Sequence, residues 1–279
     1  MKGLKTFGFL LMLSPLSNTC GFNSSTWGSG KMPEKNMEAG ADANFIMVDD
    51  FTDIVKVDGP EVTPNIYQNL MSLHELPVKE KTSTFINMML PAVLVARERK
   101  LAELKQVEAL IASMDEKPSA ASLLSPYMEK YKAKTIEELP ERLTPPPVSM
   151  ILAQSIMETG WGTSPIFTEA NNAFGVWSFS HKEARRLTQG TRNGKKVYVR
   201  AYDNILESAE NYLDIIGRVS SYKNLRKTMQ KTDNSLILVN HLSNYSEEGS
   251  LYVKQLRSLI RKYELQRFDH YFTLPTYAV

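Results

Sequence analysis

Residues 144–160 read TPPPVSMILAQSIMETG, and this stretch decides the fold of the second half of the chain. Three prolines suit the first turn of a helix, because their fixed φ matches that turn and their missing N–H has no partner there. A glycine at the other end is a typical helix stop. The pattern predicts a helix over 148–159 that is apolar almost all round and therefore buried. Only Gln154, Ser155 and Glu158 interrupt the apolar surface, and Gln154 and Glu158 share one face.

Glu158 is the first candidate for chemistry. A carboxyl at the end of an apolar helix, next to Trp161, loses contact with water, which raises its pKa and keeps it protonated near neutral pH. A protonated carboxyl can act as a general acid. The helix pattern alone leaves a second interpretation open, in which Glu158 is ionised and caps the helix or pairs with an arginine inside the fold.

Helical patterns dominate the rest of the chain. Apolar residues recur at three- and four-residue steps from Val78 to Ser113, which predicts a long amphipathic helix that is kinked or restarted near Pro91. Asn193-Gly194 is typical of a type I′ turn and predicts a β-hairpin whose second strand covers 196–202. Other helices are expected at 127–139, 205–216, 222–230, 235–242 and 249–263, with a loop-rich passage at 162–177. The expected fold class is α+β, mainly α, with a small β-hairpin lobe.

Composition excludes several classes of function. The 279 residues include 33 Lys and Arg and 31 Asp and Glu, for a formal net charge of +2 that we take to be spread along the chain. Bulk charge therefore predicts no nucleic-acid partner. The single cysteine, Cys20, excludes an internal disulfide framework and a cysteine-rich metal site. The four histidines have no ligand spacing. No metal and no cofactor are expected.

The N-terminus has the pattern of an export signal. Lys2 and Lys5 precede an apolar run at 7–13, as in a secretory signal peptide over 1–20. Cys20 lies where a bacterial lipoprotein carries its lipidated cysteine, although residues 17–19 depart from the usual pattern. A lipid anchor at Cys20, a plain cleaved signal and a purely structural cysteine all remain open. Either signal exports the chain to the periplasm or cell envelope.

Two further expectations follow for the exported chain. Residues 21–61 are rich in Gly, Ser, Asn and Asp and are expected to be a flexible tether. No later stretch has the ~18 consecutive apolar residues of a membrane-spanning helix. Contact with a membrane is therefore expected only through the signal or a lipid anchor.

Two motifs resemble those of a known family. Residues 153–164 read AQSIMETGWGTS and residues 171–177 read NNAFGVW. The pattern Ala-Gln-x-x-x-Glu-x-Gly-Trp-Gly, followed by Asn-Asn-x-Phe-Gly, resembles the glucosaminidases of glycoside hydrolase family 73, whose domain is described as mannosyl-glycoprotein endo-beta-N-acetylglucosaminidase-like. The helical segment 81–104 and the stretch 245–253 are similar to the Bax-like branch of this family. The resemblance covers about 62–263.

The resemblance implies a lysozyme-like fold with a cleft for glycan strands. The expected organisation is an N-terminal helical segment at 62–139 and a catalytic domain at 140–272. The implied activity is that of a peptidoglycan hydrolase, an endo-β-N-acetylglucosaminidase that cleaves the β-1,4 bond between N-acetylglucosamine and N-acetylmuramic acid, with Glu158 as the general acid. Two alternatives stay open, a lytic transglycosylase that uses the same glutamate and a non-catalytic module that binds peptidoglycan strands. The oligomeric state is left open.

The family pattern also suggests partners for Glu158. Its members often place a second acid on the hairpin lobe, and the one acid available between 177 and 202 is Glu183, which is equally a solvated surface residue. Tyr245 aligns with a tyrosine that the family places beside the catalytic acid, and Tyr252 competes for that role, although core packing suits it better. The candidates for substrate binding are Gln154, Trp161, Asn172, Phe174, Trp177 and Tyr252.

Overall fold

The structure, a computed structural model, describes residues 42–116, 119–192, 195–243 and 249–276. Its strands are β1 Asn44–Met47, β2 Glu61–Val62, β3 Asn65–Gln68, β4 Arg185–Arg192, β5 Lys195–Arg200 and β6 Phe272–Thr273. Its helices are α1 Val78–Ala112, α2 Ala120–Tyr131, α3 Leu139–Leu143, α4 Val148–Thr159, α5 Pro165–Ala170, α6 Ile205–Arg218, α7 Lys223–Met229, α8 Ser235–Leu238 and α9 Ser250–Lys262. The mainly helical α+β class with a β-hairpin and a long helix before it is confirmed.

Helix α1 is one uninterrupted helix of 35 residues, although we expected a kink or a restart near Pro91. Proline removes one hydrogen bond from a helix and crowds the preceding turn. Pro91 is buried, as is the stretch from Met88 to Ala96 around it. Burial of this apolar stretch in the main core outweighs the local preference of proline to break a helix.

The second half of α1 packs in a smaller core together with α2 and α3, built around Val107, Leu124 and Leu139. Lys100 joins this core to α6. Its ammonium group lies 2.6 Å from a carboxylate oxygen of Glu103 and 2.6 Å from one of Asp214, and the Lys100 residue is 6% exposed. Buried charges require such partners. The N-terminal helices are therefore fixed to the rest of the fold by both apolar and ionic contacts.

The expectation of a tether does not hold for residues 42–61, since this part of the chain is structured. Strand β1 pairs in parallel with β3, with Asn44 opposite Asn65, and β2 pairs in parallel with β6. The strands are two to four residues long and β1 is exposed at all positions but Ile46, so they carry little periodic signal. Residues 21–41, the expected signal peptide and Cys20 lie outside the described residues.

The hairpin is present, with β4 and β5 antiparallel and Arg185 opposite Arg200. Its expected turn at 193–194 lies outside the described residues. Trp177 forms an isolated bridge to Val199, which adds the preceding loop to one edge of the hairpin. Helix α5 falls in the passage that we expected to be loop. Among the described residues, no helix has both the length and the apolar character needed to cross a membrane.

Candidate active site

Helix α4 has the predicted bounds and carries Glu158 in its last turn. Pro147 precedes the helix, and Gly160 follows it with a φ of 56°, the left-handed conformation that glycine adopts at helix ends. All residues of α4 are buried except Met157. Because the helix is surrounded by the core, the position of its one carboxyl group is fixed by packing.

The first turn of α4 is held by a residue that sequence reasoning missed. Asp269 accepts hydrogen bonds from the backbone N–H of Ser149 at 2.7 Å and from its hydroxyl at 2.8 Å. A carboxylate there satisfies free N–H groups and suits the helix dipole. Burial raises the pKa of Asp269, against the two hydrogen bonds, which lower it. Asp269 is 120 residues away in sequence, so no local pattern links it to α4.

Glu158 is 4% exposed and is not part of an ion pair within the described ranges. One carboxyl oxygen, Oε1, accepts a hydrogen bond from the Tyr252 hydroxyl at 3.1 Å. The other, Oε2, is buried and has no hydrogen-bond partner in the described part of the chain. Burial raises the pKa of Glu158 well above its ordinary value, and the bond from Tyr252 lowers it less. Burial therefore favours the protonated form of this carboxyl group. In the described part of the chain Glu158 forms no ion pair with an arginine, contrary to the second interpretation.

A series of buried hydrogen bonds links Tyr212 and Gln154 to Tyr252, which contacts Glu158. The Tyr212 hydroxyl donates to Oε1 of Gln154, and Nε2 of Gln154 donates to the Tyr252 hydroxyl at 3.4 Å. Tyr252, in turn, donates to Glu158. The three residues behind the acid are at most 1% exposed. Such a chain fixes the orientation of the carboxyl group, so Gln154 and Tyr252 are placed to position Glu158 and have no surface for a sugar.

The segment that follows α5 supports this chain. Asn172 is buried, and its side-chain amide donates to the backbone carbonyls of Val176 and Arg200 at 3.0 and 2.8 Å. The ring of Phe174 stacks on that of Tyr212, with centroids 4.2 Å apart and an angle of 17°. Asn172 therefore ties the base of the hairpin to this segment, and Phe174 holds the tyrosine. Neither residue has an exposed side chain.

The two tryptophans lie in different surroundings. Trp161 is half-buried and has a φ of 62°, between two glycines that also have positive φ. The centre of its ring lies 4.5 Å from that of Tyr263 and 5.8 Å from that of Phe85. These rings cover the end of α4. Trp177 is half-buried beside Phe179, with centroids 6.0 Å apart. Both keep some exposed surface that a sugar ring can contact.

Glu183 has the opposite environment to Glu158. It accepts a hydrogen bond from the Arg200 guanidinium, with which it forms an ion pair, and one from the Ser178 hydroxyl at 2.9 Å. Burial acts to raise the pKa of Glu183, but these bonds outweigh it and the pKa is lowered. Glu183 is thus an ionised partner of Arg200. Burial and Tyr252 alone account for the pKa shift of Glu158, so Glu183 does not contribute to it.

Two of the remaining candidates lie outside the described residues, Tyr245 and Cys20. Among the residues that the structure describes, no three His, Cys, Asp or Glu side chains come together to hold a metal ion. Within the described residues, the site consists of one buried carboxyl group with a raised pKa, the hydrogen-bonded residues that hold it and the aromatic rings beside it.

Comparison with known proteins identifies the class. Residues 133–265 match the family model described as mannosyl-glycoprotein endo-beta-N-acetylglucosaminidase. This segment contains α4, the hairpin and α9, and its class is that of the glycosidases. Residues 133–265 therefore form a domain that matches the glucosaminidase family, glycoside hydrolase family 73.

Two curated relatives match with similar identity. The exo-glucosaminidase LytG of Bacillus subtilis (strain 168) is 27% identical over 129 residues, which are 43% of this chain and 45% of the relative. Protein bax of Escherichia coli (strain K12) is 26% identical over 149 residues, which are 48% of this chain and 52% of the relative. The chain therefore spans about half the length of the curated relatives it matches.

Similar solved structures include a C-terminally truncated glycoside hydrolase domain of Salmonella typhimurium FlgJ. It is 24% identical, covers 50% of this chain and 96% of its own, and has a TM-score of 0.35. The catalytic domain of the autolysin Auto from Listeria monocytogenes is 19% identical, covers 58% of this chain and 86% of its own, and has a TM-score of 0.36.

Proposed function

We propose that this protein is a peptidoglycan hydrolase, an endo-β-N-acetylglucosaminidase that cleaves the β-1,4 bond between N-acetylglucosamine and N-acetylmuramic acid. Glu158 is the general acid. One observation carries the proposal: a buried carboxyl group in the last turn of α4, with one oxygen held by Tyr252 and the other without a hydrogen-bond partner among the described residues. Burial favours the protonated form of this group. We also propose export to the periplasm or cell envelope, where peptidoglycan lies.

The reaction needs a proton on the leaving oxygen and stabilisation of an oxocarbenium-like centre. Glu158 supplies the proton from its neutral carboxyl group. Because Tyr252 occupies Oε1, we assign the transfer to Oε2. As the proton leaves, the carboxylate that forms keeps the Tyr252 hydrogen bond, which stabilises it. Tyr252 and Gln154 thus hold the acid and favour its charged form without touching the sugar.

Stabilisation of the sugar cation is assigned to the substrate. Glu183 is held by Arg200 and does not affect the pKa of Glu158. The carbonyl oxygen of the N-acetyl group at C2 can attack C1 as the bond to the leaving oxygen breaks, which forms an oxazolinium ring. Water then opens this ring at C1, and the Glu158 carboxylate accepts the proton of that water. The carboxyl group is regenerated and the product carries a reducing N-acetylglucosamine end.

Access to Glu158 requires a local movement. With the residue 4% exposed, a glycosidic oxygen reaches Oε2 only after the residues that cover it move aside, while Oε1 stays bonded to Tyr252. This coupling resembles that of lids that open for substrate and close for chemistry. It predicts that short glycans, which offer little binding energy to drive the opening, are poor substrates.

Mass spectrometry of digested peptidoglycan tests the proposal. The expected products carry reducing N-acetylglucosamine ends and are absent with Glu158→Gln. The family description names an endo-enzyme, whereas the Bacillus subtilis relative is an exo-glucosaminidase. Early release of fragments of mixed length supports endo cleavage, and release of single terminal units contradicts it. Binding of glycan without release of fragments, unaffected by Glu158→Gln, identifies a non-catalytic module instead.

A lytic transglycosylase is the second candidate. The observation that favours it is the ion pair that removes Glu183 from the list of free carboxylates, because a transglycosylase needs only one acid. In that reaction Glu158 protonates the leaving oxygen, and its carboxylate then removes the proton from the 6-hydroxyl as that oxygen attacks C1. A 1,6-anhydro end on N-acetylmuramic acid in the same mass spectra overturns the hydrolase proposal in its favour.

A further inference from the structure

The hairpin concentrates positive charge that the overall balance hides. The whole chain carries a formal charge of +2, yet residues 181–200 include seven basic residues and one acidic residue, Glu183. The basic residues are Lys182, Arg185, Arg186, Arg192, Lys195, Lys196 and Arg200. The expectation that charge is spread along the chain is wrong for this segment.

The register of the hairpin places like charges opposite each other. Arg185 faces Arg200 across the two strands, and Arg192 faces Lys195. Like charges in directly opposed positions destabilise a sheet. The hairpin would therefore form more readily with neutral residues at these positions, so the cations are not explained by the needs of the fold.

Only part of this charge is neutralised within the described residues. Glu183 pairs with Arg200. The guanidinium of Arg185 lies 4.0 Å from the centre of the Tyr198 ring on the opposite strand, a contact that does not neutralise its charge. Arg186 and Lys196 are exposed, and neither is paired with a carboxylate of the described part of the chain. The hairpin thus presents pre-arranged cations to solvent.

The charged hairpin is continuous with the candidate active site. Asn172 joins the backbone of Arg200 to the segment that carries Phe174, and Phe174 stacks on Tyr212 behind Glu158. Beside the cations lies the exposed ring of Phe179, which is 66% exposed and in contact with Trp177. These contacts join the surface that carries the aromatic rings and the exposed cations to the residues that hold Glu158.

We propose that the hairpin binds the free carboxylates of the peptide stems on the peptidoglycan strand. The inference rests on the proposed function. Where stems are attached, the lactyl carboxyl of each N-acetylmuramic acid is part of an amide bond and the glycan backbone is uncharged. The peptide stems themselves carry free carboxylates, which Arg and Lys bind by charge-assisted hydrogen bonds. The residues assigned to this binding are Arg185, Arg186 and Lys196. The enzyme accordingly prefers glycan that still bears its peptides.

The test measures binding in a Glu158→Gln background, so that the strand stays intact. One arm uses sacculi with free stem carboxylates, and the other uses sacculi whose carboxylates have been converted to amides. We expect amidation to weaken binding about five- to tenfold, and R185Q/R186Q/K196Q to weaken binding to untreated sacculi equally. On amidated sacculi the substitutions should have no further effect, because both changes remove the same contact.

The matched control is K254Q/R261Q/K262Q, which removes three exposed cations from α9 and should leave binding unchanged. Equal losses from both variants indicate bulk charge and overturn the proposal. Unchanged binding to amidated sacculi also overturns the proposal. The comparison of untreated with amidated sacculi needs no hairpin variant, so it remains a valid test even if that variant fails to fold. Circular dichroism of the variants checks folding.

Vesicles that contain phosphatidylglycerol distinguish a membrane from the peptidoglycan stems. If the hairpin variant loses vesicle binding and keeps sacculus binding, the surface is a lipid site and the proposal fails. The proposed function fails separately, when the protein with Glu158 intact releases no fragments. Loss of binding on amidation in that case still supports carboxylate recognition, by a module that does not cleave.

Discussion

Helix α4 and the hairpin segment each contain one glutamate, and the pKa values of these two residues are shifted in opposite directions. Helix α4 contains one charged residue and is buried in all but one position, so the pKa of Glu158 is raised by burial. The hairpin segment contains seven basic residues, and the hydrogen bonds of Glu183 with Arg200 and Ser178 lower its pKa. For the same residue type, the surroundings thus favour the protonated form in one place and the charged form in the other. The surroundings decide which chemistry each carboxyl group can perform.

The largest expected effect comes from removal of the proton donor. Glu158→Gln keeps the shape and hydrogen-bonding capacity of the side chain but supplies no acidic proton, so kcat should fall about 10²–10⁴-fold. Glu183→Gln should lower kcat by less than about tenfold, because that residue positions Arg200 and does not donate a proton. The exposed Glu169→Gln is the control. If Glu183→Gln lowers kcat as much as Glu158→Gln does, the proposed difference between the two glutamates is wrong and Glu183 is a second catalytic group.

The same pair of residues predicts opposite pH dependences of stability. The folded pKa of Glu158 lies above its ordinary value of 4.5, so its contribution to stability is present below that pH and is lost as the pH rises through the raised pKa. Glu158→Gln should therefore gain stability relative to wild type only above about pH 4.5. The pKa of Glu183 is lowered, so its stabilising effect is present above 4.5 and is lost on acidification. Urea denaturation across pH checks both signs.

A smaller effect is expected from Tyr252→Phe, which removes the hydroxyl between Gln154 and Glu158. Two buried polar groups lose a partner, which should cost about 1–3 kcal/mol of unfolding free energy. The pKa of Glu158 should rise further, because the lost hydrogen bond lowers it. The basic limb of the pH–activity curve should then move to higher pH. Tyr198→Phe on the hairpin is the control, and equal effects from the two variants contradict the positioning role.

Asp269→Ala tests the fixed start of α4. The loss of both hydrogen bonds to Ser149 should cost about 0.5–2 kcal/mol, the range for a lost helix cap. Asp269→Asn keeps an acceptor and should cost less. Urea denaturation measures both, with the exposed Asp233→Ala as control. A loss of activity without a loss of stability shows that Asp269 acts on Glu158 by another route.

The smallest effect is expected in the hairpin. Lys196→Thr removes one cation from the cluster and places a β-branched residue opposite Thr191. The unfolding free energy should change by less than about 0.5 kcal/mol, in the stabilising direction at low ionic strength. Added salt should abolish the gain, because it screens the repulsion. A loss of stability that persists in salt shows that Lys196 supports the fold.

Elements with a strong local signal could be predicted from the sequence. The bounds of α4 follow from the prolines before it and the glycine after it, and α6 begins at Ile205, where the apolar periodicity predicts a helix. The parallel strand pairs β1–β3 and β2–β6 could not be predicted in this way, because each strand pairs with a partner far away in sequence. The continuity of α1 through Pro91 likewise depends on the core around it.

Within the site, the sequence identified residues better than it identified their roles. The family motif singled out Gln154, Asn172 and Phe174 as binding candidates, but all three are buried and act on other protein groups. Burial of this kind depends on tertiary packing, which a motif does not contain. The link from Tyr212 to Gln154 was missed because the two lie 58 residues apart and no pattern joins them.

The position of Asp269 has a practical consequence for work with fragments of this protein. The family match ends at residue 265, four residues before the carboxylate that completes the first turn of the helix bearing Glu158. A recombinant piece that keeps the N-terminal segment but ends at residue 265 would leave the Ser149 amide and hydroxyl without their acceptor, and it would also lack the strand that pairs with Glu61–Val62. Low yield or weak activity from such a piece would report on where it was cut rather than on what the enzyme can do.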